Sequence, residues 1–204
     1  MLDRKMWVGF LFGMMMAVGG YAETPAFKVL EKASFVLNPD EKVTYEAVKF
    51  EQNGELFLQI LGNDQKVLWK SESLGSEEKQ FQLDGKPSKL AVADLDGDKI
   101  PEILTSAFYG PNASGLYVYK MNDKTKEVKP IVCFDSNEEP SRDFLVSDIR
   151  QEDGGDFQIT GKGDVKILGM KYIIDKEPQP ANYFFKLSAK GFELEKVELI
   201  PPQK

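Results

Sequence analysis

Histidine is absent from all 204 residues. Without imidazole, Ser-His-Asp and Cys-His nucleophilic catalysis are excluded, and so is every zinc site that needs a histidine ligand. Cysteine is nearly absent too. The single Cys133 cannot close an internal disulfide, so the fold must hold without one. It sits on an alternating apolar run, Ile131 to Phe134, which predicts a buried and inert thiol. Basic residues are the minority charge, 26 Lys and Arg against 33 Asp and Glu, for a net charge of −7. That balance argues against nucleic acid as a partner. Helical periodicity is scarce as well, which leaves strands as the building material.

One long apolar run is present, at the start. Arg4 and Lys5 precede an apolar stretch from Met6 to Val18, and the small residues Gly20 and Ala22 stand before the polar Glu23. The pattern predicts a cleaved export signal over residues 1–22. Met6 to Ala22 is 17 residues, shorter than the ~20 that span a hydrocarbon core. The expected product, residues 23–204, is one β domain, periplasmic or secreted, with no membrane span after signal cleavage. It carries 24 basic and 32 acidic side chains, a net charge of −8, because the leader removes Asp3, Arg4 and Lys5.

From residue 27 onward, short runs of alternating or β-branched apolar residues are punctuated by turn chemistry. Val43 to Phe50 and Glu55 to Leu61 flank Asn53-Gly54, a dipeptide that tolerates positive φ in a tight hairpin. Lys66 to Lys70 follows across Gly62-Asn63-Asp64. Further strands are predicted over 89–93, 102–107, 116–121, 129–134, 144–149, 157–160, 165–174, 183–188 and 192–199. Asp153-Gly154-Gly155-Asp156 reads as a hairpin turn and Glu177-Pro178-Gln179-Pro180 as an ordered loop. A dozen strands would fill only three propeller blades, below the usual minimum of about four. The fold class is therefore all-β: an antiparallel β-sandwich or an open propeller-like sheet with an Asp-rich loop.

That loop is the most informative stretch. Asp94, Asp96 and Asp98 stand at loop positions 1, 3 and 5, the Ile100 carbonyl at 7 and Glu102 at 9. A hard cation such as Ca²⁺ takes six to eight oxygens at about 2.3–2.6 Å, and alternate residues of a tight loop can aim them inward. Four carboxylates in nine residues repel one another without an ion, which argues for a cation. Gly97 relieves the sharp turn. The EF-hand's bidentate Glu at position 12 is replaced by Thr105, and the flanks are strands instead of helices, so the loop is no EF-hand. The plainer alternative is a solvated acidic turn.

Asp94 to Leu104 resembles the calcium loop of the FG-GAP repeats of integrin α-chains and of many exported bacterial proteins. Those loops carry a second glycine at position 6 and Asp at position 9, where this chain has Lys99 and Glu102. The Gly-rich turn and Tyr-Val-Tyr strand over 108–119 extend the likeness. A single such loop in a small exported chain is similar to bacterial periplasmic lysozyme-inhibitor-like proteins. The resemblance covers about 30 residues and implies Ca²⁺ as the bound ion.

A degenerate second loop is readable at Asp135, Asn137, Glu139, the Ser141 carbonyl and Asp143, with a solvated turn as the stronger reading because Glu138 replaces the glycine and Pro140 intrudes. In function the chain is expected to be non-enzymatic. It binds one Ca²⁺ and another macromolecule, with Phe108, Tyr109 and Tyr117 at the contact and the ion fixing their loop. The expected partner is a lysozyme-like glycoside hydrolase, drawn by charge. The alternative is an FG-GAP-type adhesion or assembly module that holds a protein or glycan.

Overall fold

The computed structural model describes residues 27–38, 40, 42–134 and 140–201. The expected signal, residues 1–22, and residues 135–139 of the degenerate second loop lie outside the described residues. Strands are labelled β1 to β18 in chain order. Among the described residues there is no helix, and the fold is all-β.

The first sheet is an antiparallel meander of β1 (Phe27–Phe35), β2 (Tyr45–Gln52), β3 (Glu55–Leu61) and β4 (Val67–Lys70). Its β2–β3 turn is the predicted one. Asn53 and Gly54 both take positive φ, 56° and 78°, and Gln52 faces Glu55 across the hairpin. The central sheet is built on β9 (Glu102–Phe108) and β10 (Ser114–Met121). On the far side of β9 lie β5 (Glu77–Glu78) and β8 (Leu90–Ala93); on the far side of β10 lie β11 (Val128–Pro130) and β14 (Leu145–Ser147).

The third sheet runs β13 (Pro140–Arg142), β12 (Cys133–Phe134), β18 (Gly191–Leu199), β17 (Gln179–Ser188), β16 (Asp164–Lys171), β15 (Phe157–Ile159), β6 (Phe81–Leu83) and β7 (Lys86–Ser88). It is mixed: β12 runs parallel to β18 and β15 parallel to β6.

Two apolar clusters explain the layering. One joins Tyr45, Leu58 and Ile60 of the first sheet to Ile103, Ala107, Tyr117 and Tyr119 of the central sheet. The other joins Leu104, Leu116 and Val118 of the central sheet to Phe157, Ile167 and Phe192 of the third. Successive residues of β9 and β10 alternate between the two clusters, as the period of two requires. The central sheet is therefore covered on both faces, and every residue of β9 is buried. A strand buried on both sides favours apolar or small residues, which Ile-Leu-Thr-Ser-Ala-Phe supplies after the opening Glu102.

The sequence reading departs from this fold in four places. It leaves out β1 and the short β5, β6, β7 and β13. It runs 129–134 as one strand, whereas the chain leaves the central sheet after Pro130 and joins the third at Cys133. It places a hairpin at Asp153–Asp156, but β14 and β15 belong to different sheets, so this segment carries the chain between layers. It reads Glu177–Pro180 as loop, but Gln179 and Pro180 open β17 opposite Lys171 and Met170.

Candidate functional site

The acidic loop connects β8 to β9, and its geometry follows from Asx-type turns. Asp94 accepts the Gly97 N–H at 2.8 Å and the Lys99 N–H at 3.0 Å, one on each carboxylate oxygen. Asp96 accepts the Asp98 N–H at 3.2 Å, and Asp98 accepts the Ile100 N–H at 2.8 Å. Gly97 and Lys99 both lie in the left-handed region, at φ 79° and 72°. Position 6, where the resembled loops carry glycine, thus needs the conformation glycine favours, although a lysine occupies it. The Ile100 side chain packs on the cluster between the first and central sheets.

Glu102 closes the loop from the first residue of β9. Its side chain is fully buried, and one oxygen accepts the Leu95 N–H at 2.7 Å. Carboxylate oxygens of Asp94, Asp96 and Glu102 lie within 4.8 Å of one another. Asp98 stands outside that trio.

The sequence reading missed Lys120. The β9–β10 register sets Lys120 directly opposite Glu102, and its ammonium reaches Asp96 at 2.6 Å, Glu102 at 2.7 Å and Asp98 at 2.8 Å. The signal was available in the spacing, since a hairpin turning at 109–113 brings 120 back beside 102. Burial works against the Lys120 charge, but the three carboxylates outweigh it and hold its pKa above the usual lysine value. Burial likewise pushes Asp98 up, and the contacts to Lys120 and the Ile100 amide reverse that, leaving its pKa lowered. For Glu102 burial dominates and raises the carboxyl.

Does this donor set fit a hard cation? The Glu102 Oε1 atom is buried and accepts no well-directed hydrogen bond, even though the Lys120 ammonium lies 2.7 Å away. It is a buried oxygen whose neutralising charge comes from Lys120, beside two more carboxylates, and clustered carboxylate oxygens are the donor chemistry Ca²⁺ selects. Asp94, Asp96, Glu102 and the Ile100 carbonyl would hold such an ion.

The three aromatic residues expected at a contact surface part company. Phe108 is 1% exposed, with its ring between the Lys79 ammonium and the Arg150 guanidinium, so it is core and unavailable to a partner. Tyr117 is 7% exposed, and its hydroxyl donates to the Leu74 carbonyl at 2.6 Å. Tyr109 is the exposed one, at 41%. The ion cannot fix their loop as expected. The seven residues of β9, about 20 Å of strand, separate loop 94–101 from residues 109–113.

A second buried charge was also missed. Lys79 and Asp156 are both fully buried and meet at 2.5 Å. Lys79 also donates to the Gln151 carbonyl, and Asp156 accepts from the Ser114 hydroxyl at 3.1 Å. Burial raises the Asp156 carboxyl. With each charge supplied a partner, the pair fastens the crossing segment 151–156 to the central sheet, a structural task. Cys133 is buried as predicted, and burial pushes its thiol up to about 12. No family model matches the chain, and no curated protein or solved structure is significantly similar to it.

Proposed function

We propose that this chain is an exported, non-enzymatic binding protein that holds one Ca²⁺ in loop 94–102 and acts by engaging another macromolecule. The observation that carries the calcium reading is the convergence of the Asp94, Asp96 and buried Glu102 carboxylate oxygens within 4.8 Å of one another. The Lys120 ammonium marks the same point as a place for positive charge. The ion would tie the β8–β9 loop to the start of β9 and so stabilise the central sheet. Support for the binding role is the export-type leader and the acid excess of the remainder, which attracts a cationic wall-acting enzyme. The favoured partner is a lysozyme-like glycoside hydrolase.

Thermal unfolding with Ca²⁺, Mg²⁺ and chelator tests the ion. Ca²⁺ at about 100 times its Kd should add about 2.7 kcal/mol, more than Mg²⁺ does. The Asp96→Ala/Asp98→Ala variant should lose the response, and an unchanged response places the ion elsewhere. Lysis of cell-wall substrate by a panel of lysozyme classes tests the partner. Slowing that weakens with salt supports the inhibitor reading. No slowing in any class replaces it with the adhesion or assembly module.

A further inference from the structure

A cleft of about 590 Å³ opens where the first and central sheets part. One wall is residues 71–76, which carry the chain from β4 to β5. The Ser71 N–H donates to Leu58, the Leu74 N–H to Leu56 and the Ser76 N–H to Phe108, so this wall is fastened to both sheets. At Gly75 a Cβ would lie 2.3 Å from the Phe108 carbonyl oxygen, and the wall cannot approach that closely with any other residue.

The opposite wall is aromatic. Trp69 meets Tyr119 edge-on at 4.9 Å, while Phe144 contacts Tyr117 at 4.8 Å and Tyr109 at 5.7 Å. Tyr119 is 7% exposed. Three exposed carboxylates, Glu55, Glu72 and Asp143, line the same cleft, and among the described residues no Lys or Arg does. None of the three is in an ion pair among the described residues, although Glu46, Glu51, Asp64, Glu77, Glu78 and Asp164 all are. The charges of Glu72 and Asp143 reach the aromatic wall, adding to burial in raising the Tyr119 phenol.

We propose that this cleft receives an arginine side chain presented by a partner protein. The inference rests on the reading that the chain works by binding a macromolecule, and it identifies the chemistry that partner must present. A guanidinium has flat faces that stack on aromatic rings and N–H edges that donate to carboxylates, so it satisfies both kinds of lining at once. At the outer edge burial raises the Tyr109 phenol while the nearby Arg142 charge works to lower it. A neutral sugar would use the rings and leave three acids unpaired. The cleft and the calcium loop lie on opposite faces of the central sheet, since neighbouring Tyr119 and Lys120 of β10 point to opposite sides.

The test is NMR titration of the full chain with N-acetyl-arginine amide. The readout is the Trp69 indole N–H, told from Trp7 with a Trp7→Phe variant. Saturable movement of the Trp69 resonance is expected, with none from the citrulline amide, which has the same shape without the charge. Glu72→Gln and Glu55→Gln should each weaken binding about 2- to 5-fold, the size of one exposed charge contact. Equal binding of citrulline, movement by neutral cell-wall oligosaccharides in place of arginine, or no movement up to the solubility limit would each overturn the proposal. The Asp96→Ala/Asp98→Ala variant should bind the probe unchanged, so failure of the calcium reading and failure of the cleft reading show separately.

Discussion

Replacing Lys120 by Met removes the internal cation from the acidic loop and leaves four carboxylates, Asp94, Asp96, Asp98 and Glu102, facing one another. The lysine makes three charge contacts at 2.6–2.8 Å. Those to Asp96 and Asp98 are partly solvated and contribute about 0.5 kcal/mol each. The contact to fully buried Glu102 is larger, about 2 kcal/mol, because breaking it strands a charge away from water. In chelator, Lys120→Met should therefore unfold about 3 kcal/mol more easily than the parent chain. With Ca²⁺ bound, the ammonium is no longer needed and the two chains should have nearly equal stability. Closing that cycle, the variant binds Ca²⁺ about 100-fold more tightly, since 1.4 kcal/mol is a factor of ten. Urea unfolding in chelator and calorimetric titration with Ca²⁺ measure both sides. An unchanged Ca²⁺ affinity, or a Met variant as stable as the parent in chelator, would refute the view that lysine and ion compete for one site.

Two further outcomes follow from buried charges. Lys79→Met should cost about 3–5 kcal/mol by leaving Asp156 buried with only the Ser114 hydroxyl, and Lys79→Met/Asp156→Leu should recover most of it in urea unfolding; a single variant within 1 kcal/mol of the parent contradicts the burial argument. Lys49 is fully buried between the first and central sheets, donating to the Ser106 carbonyl at 2.7 Å, and burial lowers its pKa to about 8. Because the unfolded lysine keeps its proton to higher pH, the Lys49 contribution to stability should rise between pH 8 and 10.5. Unfolding free energies of the parent and Lys49→Met across that range check the sign, and a constant difference between them would show that Lys49 does not titrate there.

Much of the β architecture was legible in one dimension, and the reason is local. Strand residues alternate and turns need particular residues, so Glu55–Leu61 is read to the residue and the Asn53-Gly54 hairpin to its φ values. The Asp94–Glu102 register was equally plain, because Asx turns and alternate carboxylates are properties of neighbouring residues. What a carboxylate faces across a sheet is not such a property. Lys120 enters the loop through strand pairing, and Asp156, which reads as a turn residue, becomes half of a buried ion pair 77 residues from Lys79. Phe108 and Tyr109 are adjacent and both aromatic, yet one is core and the other is exposed, because consecutive side chains leave a strand end in opposite directions. The layering itself belongs to tertiary structure. Only the meeting of two apolar faces on β9 and β10 makes the central sheet a buried middle layer, and only the bridge of residues 71–76 between sheets creates a cleft with aromatic and acidic walls.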